Sequence, residues 1–418
     1  MDDPVKVLIL TADAGFGHRS AANAIAAALI EKHGAACQVE VINPLEDERV
    51  PALLRDSQAD YDQMVRQMPD VYKLGYQVSD AVVPKVIMES AFTVMLYLVM
   101  RDVLQKHHPD MVVLTYPMYI APLSAVITLQ KLTLPVFTVI TDLTNVHRIW
   151  FSEAVDGCLV PTQEAMEQAR QANISAEKIH VTGIPIHPDF ARPRADKKVL
   201  RGELGWDSDS LTLLAIGSKR VKNLQPVLHV LNHSGLDIQL VVVAGGDEEL
   251  YHRLKEVEWH KAAHVYNYVN RMPDFMAASD CILSKAGGLT VTESLASGLP
   301  LLLIDITPGQ EQGNAAYVIK KGAGELANNP IEALEVLFHW LDNNQKLLID
   351  RARSAAQIGK PGAAFSVAEI IWNFERSAPK SKAGGRLHRL KRLKLKELLQ
   401  QFDVIVEPLT SIRHSRYR

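Results

Sequence analysis

The sequence predicts an α/β protein built from two doubly wound halves, each a parallel sheet covered by helices on both faces. Three observations carry this expectation. Short runs of β-branched residues and leucine recur along the chain and alternate with helical stretches, the pattern of strands buried on both faces. These runs fall into two series, separated by a polar, charged stretch at 191–201. The length of 418 residues at 47% hydrophobic content suits two domains of about 100–200 residues better than one.

The first series opens with VKVLIL at 5–10. A glycine-bearing turn follows, then an alanine-rich helical pattern from about Ala21 to Lys32. Further strand-like runs stand at 38–43, 111–116, 136–141 and 157–162, with a helical stretch at 163–172. The second series has strand-like runs at 211–217, around 239–245, and at 264–269, 280–287 and 300–306. VTGIPIHPDF (181–190) joins the two. The expected division is 1–185, 190–376 and a tail at 377–418. Two such halves facing each other open a ligand cleft at the carboxyl ends of both sheets. Residues 86–100 (VIMESAFTVMLYLVM) form an unusually apolar helical stretch. It is too short to span a bilayer, which leaves a buried core helix or a lipid-facing helix at the cleft mouth.

Composition narrows the class. With 22% charged residues, 23 Gly and 21 Pro, wholesale disorder is excluded. Cys37, Cys158 and Cys281 lie far apart, which argues against a disulfide scaffold or structural zinc and fits a reducing compartment. No signal peptide is expected, because the first residues run straight into a strand. No transmembrane helix is expected either: the longest uncharged window, 111–130, is broken by Pro117 and Pro122. The net charge of −3 hides an asymmetry, since residues 380–418 carry +8 and the rest −11. Such a tail reads either as a partner for an anionic surface or as a solvated, partly disordered segment.

Three constellations carry chemistry. In GFGHRS, Gly15 and Gly17 allow a tight turn after the first strand, and His18 stands at a helix N-terminus. There the local dipole favours the neutral imidazole that can take a proton from a hydroxyl. The alternative is a glycine turn whose histidine merely caps the helix. In TDLTNVHRIWF (141–151), Asp142 and His147 stand where loops converge on a cleft, and Trp150 and Phe151 supply an aromatic wall. Taken singly, each of these also reads as an ordinary turn, surface or core residue. In the third, 284–324, Gly287 and Gly288 open a helix whose free amides can hold a phosphate. Glu293 on that helix suits the two hydroxyls of a ribose, and Gln310 and Glu311 after the next strand suit sugar hydroxyls.

With GFGHRSAANAI, TDLTNVHRIWF, VTGIPIHPDF and the KAGGLTVTESLASGLP…PGQEQGNAAYV block in view, residues 5–375 resemble a GT-B fold glycosyltransferase. The branch they resemble holds the monogalactosyldiacylglycerol synthases and processive diacylglycerol glucosyltransferases. More distantly, the chain is similar to the transferase that adds N-acetylglucosamine to peptidoglycan lipid precursors. The resemblance implies two Rossmann-like domains facing a central cleft. It implies a nucleotide-sugar donor in the C-terminal domain, a lipid acceptor in the N-terminal one, and inversion without a bound metal or cofactor. It also implies His18 as the base, with Trp150 and the 86–100 helix lining the acceptor side, where Gly17, Asp142, His147 and Phe151 are expected as well. Gly287, Gly288 and Leu289 would lie by the diphosphate, Glu293 by the ribose, and Gln310 and Glu311 by the sugar.

Two departures fall on the phosphate site. Where the family carries a glycine-rich loop after the first strand of the donor domain, this chain reads AIGSKRVKNL, keeping Gly217 and Ser218 but adding Lys219 and Arg220. Where the linker carries an arginine, this chain has His187, which cannot clamp a diphosphate bidentately. Compensation by Lys219 or Arg220, a changed donor, and a degenerate homologue all remain open. The expectation is an inverting hexosyltransferase using UDP-glucose or UDP-galactose, with diacylglycerol as acceptor and a β-glycolipid as product. It would be cytoplasmic and peripheral to the inner face of an anionic membrane, with no specific nucleic-acid partner. Its rivals are a non-catalytic or donor-shifted homologue that binds lipid or nucleotide sugar, and a transferase with a polyprenyl-type acceptor.

Overall fold

The computed structural model describes residues 3–13, 16–51, 55, 82–219, 221–306 and 310–377. It contains two six-stranded sheets, both wholly parallel. The first comprises β1 (Val5–Leu10), β2 (Cys37–Ile42), β3 (Met111–Leu114), β4 (Val136–Val139), β5 (Gly157–Val160) and β6 (Ile179–Val181), in the order β2-β1-β3-β4-β5-β6. The second comprises β7 (Leu211–Ile216), β8 (Ile238–Val243), β9 (Ala263–Tyr266), β10 (Cys281–Ser284), β11 (Leu301–Leu303) and β12 (Gly324–Leu326), in the order β12-β11-β10-β7-β8-β9. The expected pair of doubly wound sheets is therefore present. Ten of the strands match expected runs. The sixth strand of each sheet, β6 and β12, was not expected: each has three residues and lies at a sheet edge, where few apolar residues are needed.

The strand order reverses between β1 and β3 in the first sheet and between β7 and β10 in the second. At such a point the neighbouring helices leave on opposite faces and a crevice opens at the strands' carboxyl ends. Both glycine-bearing turns lead from these ends. Helix α1 (Phe16–His33) follows β1, and its Ala22, Ala24 and Ala28 are buried in one core with Val7 and Ile9 of β1. Alanine lets the helix lie close to the sheet and suits a helix interior.

The apolar stretch at 86–100 belongs to a longer helix, α2 (Val82–His107), which runs on through Arg101 to a basic last turn. Phe92, Leu96, Val99 and Met100 face the core while Leu98 is exposed. Among the described residues, no helix is long and apolar enough to cross a membrane. Helices α3 (Ile120–Gln130) and α4 (Gln163–Gln171) complete the first half. The second half carries α5 (Lys197–Leu204), α6 (Leu224–Asn232), α7 (Glu248–Lys255), α8 (Met272–Ala278), α9 (Gly288–Ala296), α10 (Gln310–Lys320) and α11 (Pro330–Ile358).

The final helix, α12 (Ala363–Ser377), departs from the expected division, which put 190–376 in one half. Its Ala364, Val367, Ala368 and Ile371 are buried with Val7, Ile9 and Ile25 of the first half. Trp372 stacks on His33 at 3.9 Å between ring centres, and Phe374 meets Phe137 edge-on. The chain thus crosses between halves twice, and the crossings touch. Gly183 has φ +91°, and a Cβ there would stand 2.7 Å from Lys360 Cβ.

Ile371→Ala is expected to cost about 2–4 kcal/mol, since a fully buried side chain is cut back to a cavity. Urea unfolding with hydrogen exchange checks this: the amides of β1 and β3 should lose protection while those of β8 keep theirs.

Candidate active site

His18 lies in the first turn of α1, half-buried, with Nδ1 3.0 Å from the Thr141 hydroxyl. The Tyr116 ring meets it edge-on at 5.2 Å, and Trp150 stands behind it at 6.1 Å. Burial lowers the His18 pKa to about 4, with the Thr115 backbone partly offsetting the shift, so the imidazole is neutral at pH 7. A Cβ on Gly17 would meet no atom within 4 Å, and the space beside His18 is open.

The other acceptor-side candidates turn inward. Trp150 is 1% exposed, and its indole N–H donates to Asp142 Oδ2 at 3.0 Å. Phe151 is buried in the core. His147 Nδ1 accepts the Ile149 amide at 3.2 Å, capping the turn Arg148–Trp150. These residues shape the wall behind His18. A small niche with no room for a water molecule lies among Glu89, Phe92, Pro117, Met118, Ile120, Ala121 and Ile149.

On the donor side, Gly217 packs so tightly after β7 that a Cβ would lie 2.7 Å from a Leu250 methyl. Ser218 is half-buried and Lys219 exposed. Arg220 and the tail from 378 lie outside the described residues, as does the Gln310 side chain, although the Gln310 backbone opens α10. His187 is exposed and caps the turn Pro188–Ala191, which packs against α1 and α9. Gly287 is the N-cap of α9 and offers no side-chain cap. The first amides of α9, from Gly288 and Leu289 on, thus have no cap from the Gly287 side chain. Glu293 is half-buried on the second turn of α9, and burial pushes its pKa up to about 8. Glu311 forms an ion pair with Lys285, which follows β10.

The halves meet at these turns. The Thr141 carbonyl would lie 3.4 Å from a Cβ on Gly288, and a Cβ on Gly313 would strike Asn145 Nδ2 at 2.7 Å. Glu164 of α4 pairs with Lys321 beyond α10 at 3.0 Å. The sequence reading missed Thr141, Lys285, Asn314 and Asp305. Asn314 ties α10 to the Ala286 carbonyl at 2.9 Å, and Asp305 accepts the Asn223 amide before α6 at 2.6 Å. All four stand inside or beside the quoted motifs, but their partners are distant in sequence.

Comparison with known proteins bears on this arrangement. Residues 18–186 match the monogalactosyldiacylglycerol (MGDG) synthase family, and residues 212–359 match the glycosyltransferase family 28 C-terminal domain. The chloroplastic MGDG synthase 1 of Arabidopsis thaliana is 31% identical over 379 residues, covering 88% of this chain and 70% of that protein. The chain belongs to the monogalactosyldiacylglycerol synthase family. The chloroplastic MGDG synthase of Spinacia oleracea is 32% identical over 379 residues, covering 88% of this chain and 72% of the relative. Among solved structures, Acinetobacter baumannii MurG superposes with a TM-score of 0.59 at 16% identity, over 88% of this chain and 100% of MurG. S. aureus MnaA bound to UDP gives 0.57 at 14% identity, over 91% and 100%. These structures share the GT-B fold, and the protein is a glycosyltransferase of the MGDG synthase family.

Glu293 and His18 tilt stability in opposite directions with pH. Folded Glu293 keeps its proton to about pH 8 against an ordinary 4.5. Its stabilising contribution is therefore full below 4.5 and lost as pH rises through 8. Folded His18 resists protonation until about pH 4 against an ordinary 6.5, so its share falls as pH drops from 6.5 to 4. Glu293→Gln should flatten the decline in melting temperature between pH 5 and 8 and leave the acid limb in place. A pH series of melting curves for both proteins checks this.

Proposed function

We propose that the protein transfers a hexose from a UDP donor to the free hydroxyl of diacylglycerol, inverting the anomeric carbon to give a β-glycolipid. The hexose is galactose or glucose, and the names of the relatives favour galactose. The observation that carries the reading is Thr141. Its hydroxyl meets His18, and its carbonyl lies against the glycine that opens α9. A neutral imidazole and an anion-binding helix end therefore stand on two sides of one residue.

In this reading His18 takes the acceptor's hydroxyl proton as that oxygen bonds to the anomeric carbon, and the bond to the diphosphate oxygen breaks on the opposite face. The α9 amides receive the leaving charge. Negative charge developing across the cleft favours the imidazolium that forms, so a base with a resting pKa near 4 becomes competent as the reaction proceeds. Glu293 would bind the ribose hydroxyls. No metal or cofactor takes part in this scheme. The work would occur at an anionic membrane surface on the cytoplasmic side, each well-placed Lys or Arg of the tail adding about 1 kcal/mol of attraction.

The test is transfer by purified protein to diacylglycerol in anionic liposomes, with a panel of labelled UDP- and GDP-hexoses. Glycolipid should form with a UDP-hexose. His18→Ala should lower kcat by about 10²–10⁴-fold while UDP binding stays unchanged. Folded, liposome-bound protein that makes no product with any donor would overturn the proposal.

A further inference from the structure

We propose that Lys285 and Glu311 are an exchangeable pair, closed in the free protein and opened by the donor, with the Lys285 ammonium passing to the diphosphate and the Glu311 carboxylate to the hexose hydroxyls. The inference rests on the donor-site reading above. It assigns the diphosphate's cation to a residue that neither the linker nor the loop after β7 provides.

The geometry starts at the reversal point of the second sheet. Lys285 is the first residue beyond β10, and its side chain is only 17% exposed; that of Glu311, its partner on α10, is 12% exposed. Two charges this far from water must stay compensated, because an unpaired charge there costs several kcal/mol. The ammonium also stands at the open end of α9. A Cβ built on Gly287, the α9 N-cap, would lie 3.6 Å from Lys285 Cε and 3.7 Å from Nζ. Since no side chain caps that helix, a diphosphate drawn to its amides arrives beside the lysine. Small rotations then exchange the carboxylate for phosphate oxygens as the ammonium's partner. The backbone need not move, because the Asn314 bond to Ala286 fixes α10 against the turn that carries Lys285.

The alternatives are placed less well. His187 is exposed and accepts a hydrogen bond from the Asp189 amide. Lys219 is exposed beyond Gly217. A buried lysine already neutralised by a carboxylate suits a donor that brings both phosphate and hydroxyls. Each half of the pair gains a new partner: the ammonium gains the phosphate's charge, and the carboxylate gains hydroxyl donors for its hydrogen bonds.

UDP alone separates the two gains, because it brings the diphosphate without the hexose. It must break the pair while offering nothing to Glu311. Glu311→Gln is therefore expected to bind UDP about tenfold more tightly than wild type by calorimetry, while its hexose transfer falls at least about a hundredfold. Lys285→Met should bind UDP at least about tenfold more weakly and with a shallower salt dependence. In the double variant the gain from Glu311→Gln should vanish, since it acts through the lysine. Glu311→Ala carries the same expectation if the glutamine variant does not fold. Wild type that binds UDP, with Glu311→Gln no tighter, overturns the exchange and leaves the donor-site reading standing. Wild type that binds no UDP overturns both.

Discussion

The site depends on how closely the first half's 141–145 loop can approach the glycines that open or line the helices of the second. Gly288 and Gly313 present bare backbone to Thr141 and Asn145. A methyl at 313 would fall on the Asn145 amide, so that side chain or α10 would have to shift. Everything proposed for catalysis crosses this contact: His18 reaches Thr141 from one side, and α9 presents its amides from the other. The two strand-order reversals bring the right turns to the cleft, but they do not set the gap between them. The bare backbone at Gly313 does, where a Cβ would meet the Asn145 side chain at 2.7 Å.

Charge in the cleft is held in a consistent state. His18 is uncharged, Glu293 holds a proton to about pH 8, and Lys285 and Glu311 cancel. None of the four presents a free charge to the solvent at neutral pH. A diphosphate entering such a space is the dominant local charge, and each group's protonation or pairing answers to it. A low-dielectric cleft makes those responses large.

Most strands were legible because strands buried on both faces need apolar residues at successive positions, while the edge strands β2 and β9 were read from alternating Val and aromatic residues. β6 and β12 were not, because three residues at a sheet edge are too few to show a pattern. The full reach of α2 was missed because its polar last turns end the hydrophobic signal before they end the helix. His18, Gly287, Gly288 and Glu293 stand on the helices where the sequence puts them, because strand-to-helix turns carry local backbone signals. Trp150 and Phe151 read as a wall and stand as one, but facing inward, since composition does not reveal which face of an aromatic residue meets solvent. Lys285 was passed over inside its own motif: its meaning comes from residue 311, and nothing in the spacing pairs the two.

The doubled crossing has a mechanical consequence. With 182–196 leading out and the segment before Ala363 leading back, and with Gly183 pressed on Lys360, the halves are joined along a short line by two chains lying side by side. A single tether would leave one body free to twist and roll against the other. Two adjacent tethers work as the leaves of a door hinge, suppressing twist and leaving one soft rotation about the line they define. Motion about that axis changes the width of the cleft mouth most and the depth near the axis least.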